Sequence, residues 1–289
     1  MSDNKQTDRL PTVQFGPHRV TRLIVGGNPF VWNSHYSEDM NREMEQYFTP
    51  ERIVETLIRC KGAGINTFQG RGDYHRIFHC LELMRRRGED IQFIAQTASE
   101  MSDIHHNIKM IAAFGAQGIY FHGTETDKYW REGRIDYVRD YLKTMRDTGV
   151  QVGMAAHIPE IFDYVESKDW DLDFYMTPFY NLARNPRESA VVTGKFEEEE
   201  FLPDDPPRIC KFIQQTPRMC LAYKILACSR KADSQQEVAD MFKWAFARIK
   251  PTDCVVVGMF PKYDDQPVLN VRYTIDAAAA AAKERVSLV

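Results

Sequence analysis

The residues of this chain that could do chemistry stand at or near the ends of short apolar runs. Two of them are histidines, His122 and His157. A histidine titrates near neutral pH, so it can donate or accept a proton during a reaction. Other runs carry amides, a tyrosine or a lysine at such positions, namely Asn28, Gln69, Gln96, Tyr175 and Lys224. A set this rich in amides suits a small hydroxylated or carbonyl-bearing substrate.

Further candidates lie in the segments that follow the runs. Arg71 and Tyr74 come just after the second run, and Trp32 and His35 lie in a long segment after the first. We predict that His122, Tyr74 and His157 carry protons, and that Arg71, His35 and the polar residues named above bind substrate. Trp32 is expected to stack on a sugar-like ring. A histidine at such a position can also serve a structural role by donating to a backbone carbonyl.

A divalent metal is a second use for the histidines. His35, His122 and His157, with Asp173 or Asp73, would make a His/carboxylate ligand set. The chain has no local motif such as His-Glu-x-x-His to support it. We therefore keep a metal as an alternative and assign no residue to it.

The elements that must position these residues repeat eight times, because eight short apolar runs recur and nearly every one precedes a helix-like stretch. The runs are Leu23–Gly27, Gly64–Gly70, Ile91–Thr97, Gly118–Gly123, Val150–His157, Asp173–Tyr180, Met219–Ile225 and Cys254–Phe260. Such alternation predicts an α/β protein, a closed (β/α)₈ TIM barrel. These barrels collect their chemistry at the C-terminal ends of the strands.

The predicted barrel forms a single domain over residues 13–289, after a flexible leader of residues 1–12. Val13–Phe15 and His18–Arg22 flank a Gly-Pro pair, which predicts a β-hairpin that plugs the bottom of the barrel. The last barrel helix is expected over Ile275–Arg285, where alanines dominate.

Two predicted loops are longer than barrel loops usually are. Pro29–Phe48 follows the first strand and Asn181–Pro206 follows the sixth, so both are expected over the mouth. The second contains the acidic run Glu197–Glu200, which we expect to be a solvated face.

The composition limits the classes of binding partner that we expect. A formal net charge of −4 gives no reason to expect nucleic acid or an anionic membrane, and no apolar stretch is long enough to span a bilayer. Met1–Pro11 is polar and contains no secretory core. We expect a cytoplasmic protein with a small-molecule substrate, and the sequence leaves a homo-oligomer open.

With the strands placed, the chain resembles the aldo-keto reductase superfamily. Gly64–Phe68 resembles that family's second strand, Ile119–His122 its fourth and Leu221–Ala227 its seventh. Val255–Gly258, followed by Pro267–Asn270, resembles the end that holds the cofactor phosphates. The resemblance runs from about Val13 to Ala280 and implies the barrel fold and an NADP-dependent reduction.

The resemblance also implies catalytic roles. Tyr74 matches the family's proton-donating tyrosine, and His122 matches the histidine that orients the carbonyl. The family tunes its tyrosine with an aspartate and a lysine, and these positions are Gln69 and Gln96 here. A neutral amide supplies no charge to move a tyrosine from its ordinary pKa near 10.

On the cofactor side, Tyr223 matches the aromatic residue that packs on the nicotinamide, and Asn270 matches an asparagine near the adenine. Lys262 is placed to meet a phosphate. These three assignments hold only if a nucleotide binds, and a tyrosine within a strand is equally a core residue.

These observations predict a divergent aldo-keto-reductase-like barrel enzyme that performs acid–base chemistry on a small hydroxylated or carbonyl-bearing, sugar-like substrate. The reaction would be an isomerisation, an epimerisation or an elimination. Two alternatives stay open: an NADP-dependent oxidoreductase with a rebuilt site, and a non-catalytic ligand-binding barrel.

Overall fold

The computed structural model of the chain describes residues 9–186, 188, 193, 194, 196 and 198–287. Residues 1–8 of the predicted leader lie outside this description. The rest of that leader is attached, because the Pro11 carbonyl accepts a hydrogen bond of 2.8 Å from the Arg22 amide. Thr12 already belongs to the first strand.

Eight parallel strands close into a barrel, which confirms the predicted fold class. An antiparallel hairpin precedes them, formed by β1 (Thr12–Phe15) and β2 (His18–Thr21). The barrel strands are β3 (Leu23–Gly26), β4 (Thr67–Arg71), β5 (Gln92–Gln96), β6 (Gly118–Phe121), β7 (Gln151–Ala155), β8 (Phe174–Pro178), β9 (Met219–Tyr223) and β10 (Cys254–Gly258).

Helices surround the barrel between the strands. They are α1 (Glu38–Tyr47), α2 (Pro50–Gly62), α3 (His79–Arg86), α4 (Ile104–Phe114), α5 (Gly123–Arg131), α6 (Val138–Asp147), α7 (Pro159–Ser167), α8 (Asp205–Gln215), α9 (Gln235–Arg248) and α10 (Gln266–Ser287). Short 3₁₀ turns cover Asn28–Val31 and Ile135–Tyr137, and a π-helical turn covers Tyr74–Phe78.

Local sequence explains where several helices begin. The side chains of Ser37, Thr49, Asp103 and Ser234 accept hydrogen bonds from backbone amides in the first turns of α1, α2, α4 and α9. Such N-caps satisfy amides that have no partner within the helix. The first long loop is therefore partly helical, since Ser37 starts α1 in the middle of it.

The hairpin plugs the bottom of the barrel, as predicted. Phe15 is 2% exposed and packs edge-on against Phe174 of β8, with 5.1 Å between ring centroids. Two glycines in the wall make room for these rings. A Cβ on Gly153 would lie 2.3 Å from the Phe174 ring, and one on Gly118 would lie 2.8 Å from Phe15. The barrel is thus filled at its N-terminal end and can open only at the other.

Some predicted boundaries were wrong. The second barrel strand begins at Thr67 and not at Gly64, and the last helix begins at Gln266, well before Ile275. Within the described part of the chain, no helix is long and apolar enough to cross a membrane.

The plug generates a stability prediction. Phe15→Ala should lower the free energy of unfolding by about 3–5 kcal/mol, because it leaves a cavity under the barrel that the wall cannot close. Urea unfolding followed by circular dichroism measures the loss. Tyr137→Ala, at a tyrosine that is 56% exposed, is the control and should change the unfolding free energy by no more than about 0.5 kcal/mol. Equal losses in the two variants would contradict the assigned role of the hairpin.

Candidate active site

The open end of the barrel contains a polar cavity of about 100 Å³. Side chains from the ends of several strands converge on it, as the fold requires. The predicted residues that line it are Asn28, His35, Gln69, Arg71, Gln96, His122, His157, Tyr223 and Lys224. We call this cavity the mouth.

A chain of three hydrogen-bonded side chains runs into the mouth from the helix layer. The carboxylate of Asp127 accepts from the His157 ring, with 2.7 Å between Oδ2 and Nδ1. On the far side of that ring, Nε2 lies 3.3 Å from the hydroxyl oxygen of Tyr223. Asp127 is 2% exposed and His157 is 7% exposed. These hydrogen bonds therefore link a buried carboxylate, through the histidine ring, to a phenol at the cavity wall.

The second oxygen of Asp127 fixes the geometry further. Its Oδ1 accepts from the backbone amides of His157, at 2.8 Å, and Ile158, at 3.3 Å. The carboxylate thus accepts hydrogen bonds from both the backbone and the ring of the same histidine. An acceptor at Nδ1 holds the neutral imidazole in the tautomer whose Nε2 faces the tyrosine as an acceptor. This is how a buried aspartate orients a catalytic histidine.

Gln69, in the second barrel strand, has a buried partner. Gln69 of β4 donates from Nε2 to the hydroxyl oxygen of Tyr120 on β6, at 2.7 Å. Burial raises the pKa of the Tyr120 phenol, so the phenol stays neutral. The Gln69–Tyr120 pair therefore forms an uncharged floor to the mouth.

Three elements meet at an ionic cluster beside the mouth, formed by His35, Glu199 and Lys224. Glu199 accepts from His35, with 2.8 Å between Oε1 and Nδ1, and its Oε2 lies 3.6 Å from the Lys224 ammonium. The side chains of Lys224 and Glu199 are 6% and 5% exposed. The expectation of a solvated acidic face is wrong for Glu199, while Glu197 lies outside the described residues.

Lys224 reaches this cluster because β9 ends at Tyr223. Strand alternation would send neighbouring side chains to opposite faces. Lys224 instead has a left-handed backbone, with φ of 61°, so the alternation stops and both side chains line the mouth. The sequence left the direction of Lys224 open, and this turn decides it.

Arg71 enters the mouth from the end of β4. Its guanidinium forms a short ion pair with Glu100, and its Nε lies 3.6 Å from a carboxylate oxygen of Asp73. Burial raises the pKa of Glu100, but the ion pair and hydrogen bond with Arg71 outweigh burial and lower it. Arg71 therefore faces the cavity as a cation already matched by carboxylates.

His122 begins α5 as its N-cap and lies at the mouth, 7% exposed. Its backbone amide donates to the Thr97 hydroxyl, at 3.1 Å, which ties the end of β6 to the end of β5. The backbone of His122 is thus fixed at this rim, and its side chain lines the mouth. Its role in proton transfer stays a prediction.

Two predicted substrate contacts are not brought to the mouth. Tyr175 points outward from β8 into the helix layer, where its hydroxyl donates to Glu166 at 2.7 Å and its ring packs against Phe162. Trp32 lies under the guanidinium of Arg76, 4.0 Å from the ring centroid, and does not line the cavity. The side chain of Tyr74 lies outside the described residues, so its predicted role stays untested.

One of the residues considered as a metal ligand lies far from the histidines. Asp173 lies at the opposite end of the barrel, where it pairs with Arg146 at 2.7 Å. Across the described residues, no three His, Cys, Asp or Glu side chains converge as a metal site would require.

A larger cavity of about 330 Å³ adjoins the mouth. It runs along the seam between β3 and β10 toward the start of α10, and Tyr223 and Lys224 border both cavities. Asn270 lines it, as predicted for the cofactor side, and is 5% exposed. Lys262 does not line it, and its ammonium lies 2.6 Å from a carboxylate oxygen of Glu43, which does.

The charges of the larger cavity do not fit a phosphorylated dinucleotide. Phosphates favour cations and helix N-termini, and the first turn of α10 does border the cavity at Gln266. Glu43 and Asp264, however, also line it, and Lys224 is the only lysine or arginine described there. The hydrogen bond from Lys262 lowers the pKa of Glu43, so this carboxylate is charged.

Comparisons with known proteins support the fold. No protein-family model matches the sequence, and no protein of curated function matches it. Solved structures do resemble it. The apo form of Gox0644 has a TM-score of 0.57 at 10% identity, and the match covers 95% of this chain and 93% of that one.

Two further structures are similar at the same level. The glycerol dehydrogenase AKR11B4 from Gluconobacter oxydans has a TM-score of 0.51 at 11% identity, covering 96% of this chain and 95% of that one. A truncated 3-deoxy-D-arabino-heptulosonate 7-phosphate synthase from Thermotoga maritima has 0.52 at 12%, covering 97% and 94%. The likeness to reductase and synthase alike shows a TIM barrel and no particular family.

Sequence reasoning missed three residues of the site, namely Asp127, Tyr120 and Glu199. Asp127 lies on the inner face of α5, one turn after Gly123, and a charged residue on that face was the available signal. Nothing local marks Tyr120 or Glu199, since their partners are 51 and 164 residues away in the chain.

The ionic cluster generates a stability prediction. Glu199→Gln should destabilise the protein by about 3 kcal/mol, because it removes the buried carboxylate that contacts both His35 and the Lys224 ammonium. Thermal and urea unfolding measure the effect. Glu198→Gln, which removes a neighbouring carboxylate from the same acidic run, is the matched control and should be near neutral. A Glu199→Gln protein as stable as the control would show that the cluster carries no stability.

Proposed function

We propose that this barrel is an enzyme that transfers protons to and from a small hydroxylated or carbonyl-bearing substrate bound in the mouth. The observation that carries the proposal is the Asp127–His157–Tyr223 chain, which ends at the wall of the cavity. A proton carrier needs a partner that can take or return its proton, and His157 is that partner for Tyr223.

In this proposal Tyr223, backed by the neutral His157 ring, acts first as the base toward a substrate hydroxyl. Its oxygen takes the hydroxyl proton while the phenol's own proton passes to His157 Nε2, which leaves an imidazolium. Asp127 stabilises the imidazolium without leaving its hydrogen bonds to the ring and backbone. In the reverse direction the imidazolium returns that proton to Tyr223, which acts as the acid toward a substrate oxygen. The role predicted for Tyr223 thus changes from packing on a cofactor ring to carrying a proton.

The rest of the mouth suits a neutral, oxygen-rich substrate. Asn28, Gln69 and Gln96 offer amides, and the cations Arg71 and Lys224 are already matched by carboxylates. A ligand with hydroxyl and carbonyl groups can pair with amides without bringing an uncompensated charge. His122 lies among these groups and is the second candidate proton carrier. Isomerisation, epimerisation and elimination all need these elements.

A nucleotide-dependent oxidoreductase is the second candidate, and one observation favours it. The larger cavity meets the mouth at Tyr223, so a second ligand there would lie beside a substrate. The acidic side chain of Asp264 on its lining, and the pairing of Lys262 with Glu43 and of Lys224 with Glu199, argue against a phosphorylated ligand there. Acid–base chemistry without a nucleotide is therefore our leading proposal.

Nucleotide binding separates the two candidates. Titration with NADPH and NADH, followed by the intrinsic fluorescence of the four tryptophans, should show no saturation at millimolar cofactor. Micromolar affinity would instead establish the oxidoreductase, and its loss in Asn270→Ala would locate the nucleotide in the larger cavity.

The proton chain predicts a specific loss of activity. Incubation of the protein in D₂O with a panel of aldoses, ketoses and sugar acids should exchange carbon-bound protons of a substrate, which ¹H NMR detects directly. Tyr223→Phe should slow that exchange by about 10²–10⁴-fold, since it removes the group that exchanges a proton with the substrate oxygen whenever the neighbouring carbon–hydrogen bond breaks or forms. His157→Gln should slow it similarly, and the double variant little further, because the two residues act as one unit.

The matched control is Tyr175→Phe, which removes a buried phenol that faces away from the mouth. Its exchange rate should stay within about twofold of the unmodified protein. Equal rates in the Tyr223→Phe and Tyr175→Phe proteins would contradict the proposed chain.

A further inference from the structure

The larger cavity has no function in the proposed proton transfer, yet it lies directly beside the mouth. Six described residues line both cavities, namely Asn28, Asn33, His35, Gln69, Tyr223 and Lys224. These shared side chains form the border between the two cavities. A ligand in the larger cavity would therefore lie against Tyr223, the proposed proton carrier.

Apolar side chains form much of the larger cavity and remain partly exposed in it. They come from four separate elements: Met40 of α1, Leu226 after β9, Phe260 after β10 and Leu269 of α10. Concave apolar surface that stays accessible is typical of a ligand site. Met40 can adapt its shape to the ligand, because its side chain is unbranched and polarisable.

The charges of the lining select the ligand further. Asp264 would repel a phosphate or carboxylate, and the nearby cations are already paired, Lys262 with Glu43 and Lys224 with Glu199. A buried anion here would therefore meet like charge without a free cation. An uncharged group meets no such penalty.

The size fits a substantial apolar group. An apolar cavity of about 150 Å³ holds a benzene ring, and the larger cavity measures about 330 Å³. It therefore has room for a bicyclic aromatic group or an alkyl chain of similar bulk.

We propose that the larger cavity binds an uncharged apolar or aromatic group, and that the substrate has two parts. Its hydroxylated or carbonyl-bearing head occupies the mouth, and its apolar tail lies against Met40, Leu226 and Leu269. The assignment of the head rests on the proposed function. Binding of the tail does not, because it follows from the lining of the larger cavity alone.

The test uses N-phenyl-1-naphthylamine, an uncharged probe with a naphthyl and a phenyl ring whose fluorescence rises in apolar sites. The unmodified protein should bind one equivalent saturably. Leu269→Trp, which fills the cavity from α10, should weaken binding at least tenfold. Val268→Trp is the matched control, because Val268 is the preceding residue on the same helix, is 50% exposed and does not line the cavity. Its affinity should stay within about twofold.

Three results would overturn the proposal. They are absence of saturable binding, equal affinity in the Leu269→Trp and Val268→Trp proteins, and displacement of the probe by micromolar NADPH. Probe binding is measured without turnover, so its failure is distinct from failure of the proton-exchange assay. Probe binding without proton exchange would support the apolar site and contradict the proposed catalysis.

Discussion

Closure of the barrel between its first and last strands is the constraint on which the site depends. β10 pairs with β3 in parallel register, from Val255 opposite Leu23 to Gly258 opposite Gly26. Once that seam closes, all eight strands end at one rim and the hairpin fills the other end. Every inward-facing residue at a strand end is then directed into a single mouth. The seam itself ends in two glycines, Gly26 and Gly258, and both line the larger cavity. A Cβ at Gly258 would lie 3.0 Å from the Pro29 ring, so the glycine allows Pro29 to pack closely against the end of the seam.

The site distributes its charges unevenly around that rim. The cations Arg71 and Lys224 lie beside carboxylates that balance them, whereas the Gln69–Tyr120 floor is neutral. Asp127 stands apart from these pairs, because its carboxylate is directed at a histidine ring and not at a permanent cation. Proton movement along Asp127, His157 and Tyr223 thus changes charge in the mouth without breaking an ion pair. This asymmetry is our main physical reason for placing the chemistry at Tyr223.

The sequence predicted the barrel and many of the strand-end residues that line the mouth, because both follow from local periodicity. Eight apolar runs specify eight strands, and the residues that end them must meet when the strands are parallel. The predicted position of Tyr175 in the mouth was not found, and the reason is physical. β8 is buried on both faces, so its continuous apolar run carries no alternation that would distinguish inward from outward positions. Glu199 and Asp127 could not be found this way, since each acts through a partner on a different element. The direction of the Lys224 side chain depends on the left-handed backbone of that residue, which a strand pattern does not reveal.

The central claim, that Asp127 presents His157 Nε2 to the Tyr223 phenol, is tested most directly by the nitrogen NMR signals of that histidine. Long-range ¹H–¹⁵N correlation spectra of ¹⁵N-labelled protein should show His157 in its neutral form with Nδ1 protonated and Nε2 accepting a hydrogen bond. In Tyr223→Phe the Nε2 signal should shift toward that of a nitrogen without a donor, while Nδ1 stays protonated. A His157 protonated at Nε2, or an Nε2 signal that Tyr223→Phe leaves unchanged, would contradict the account.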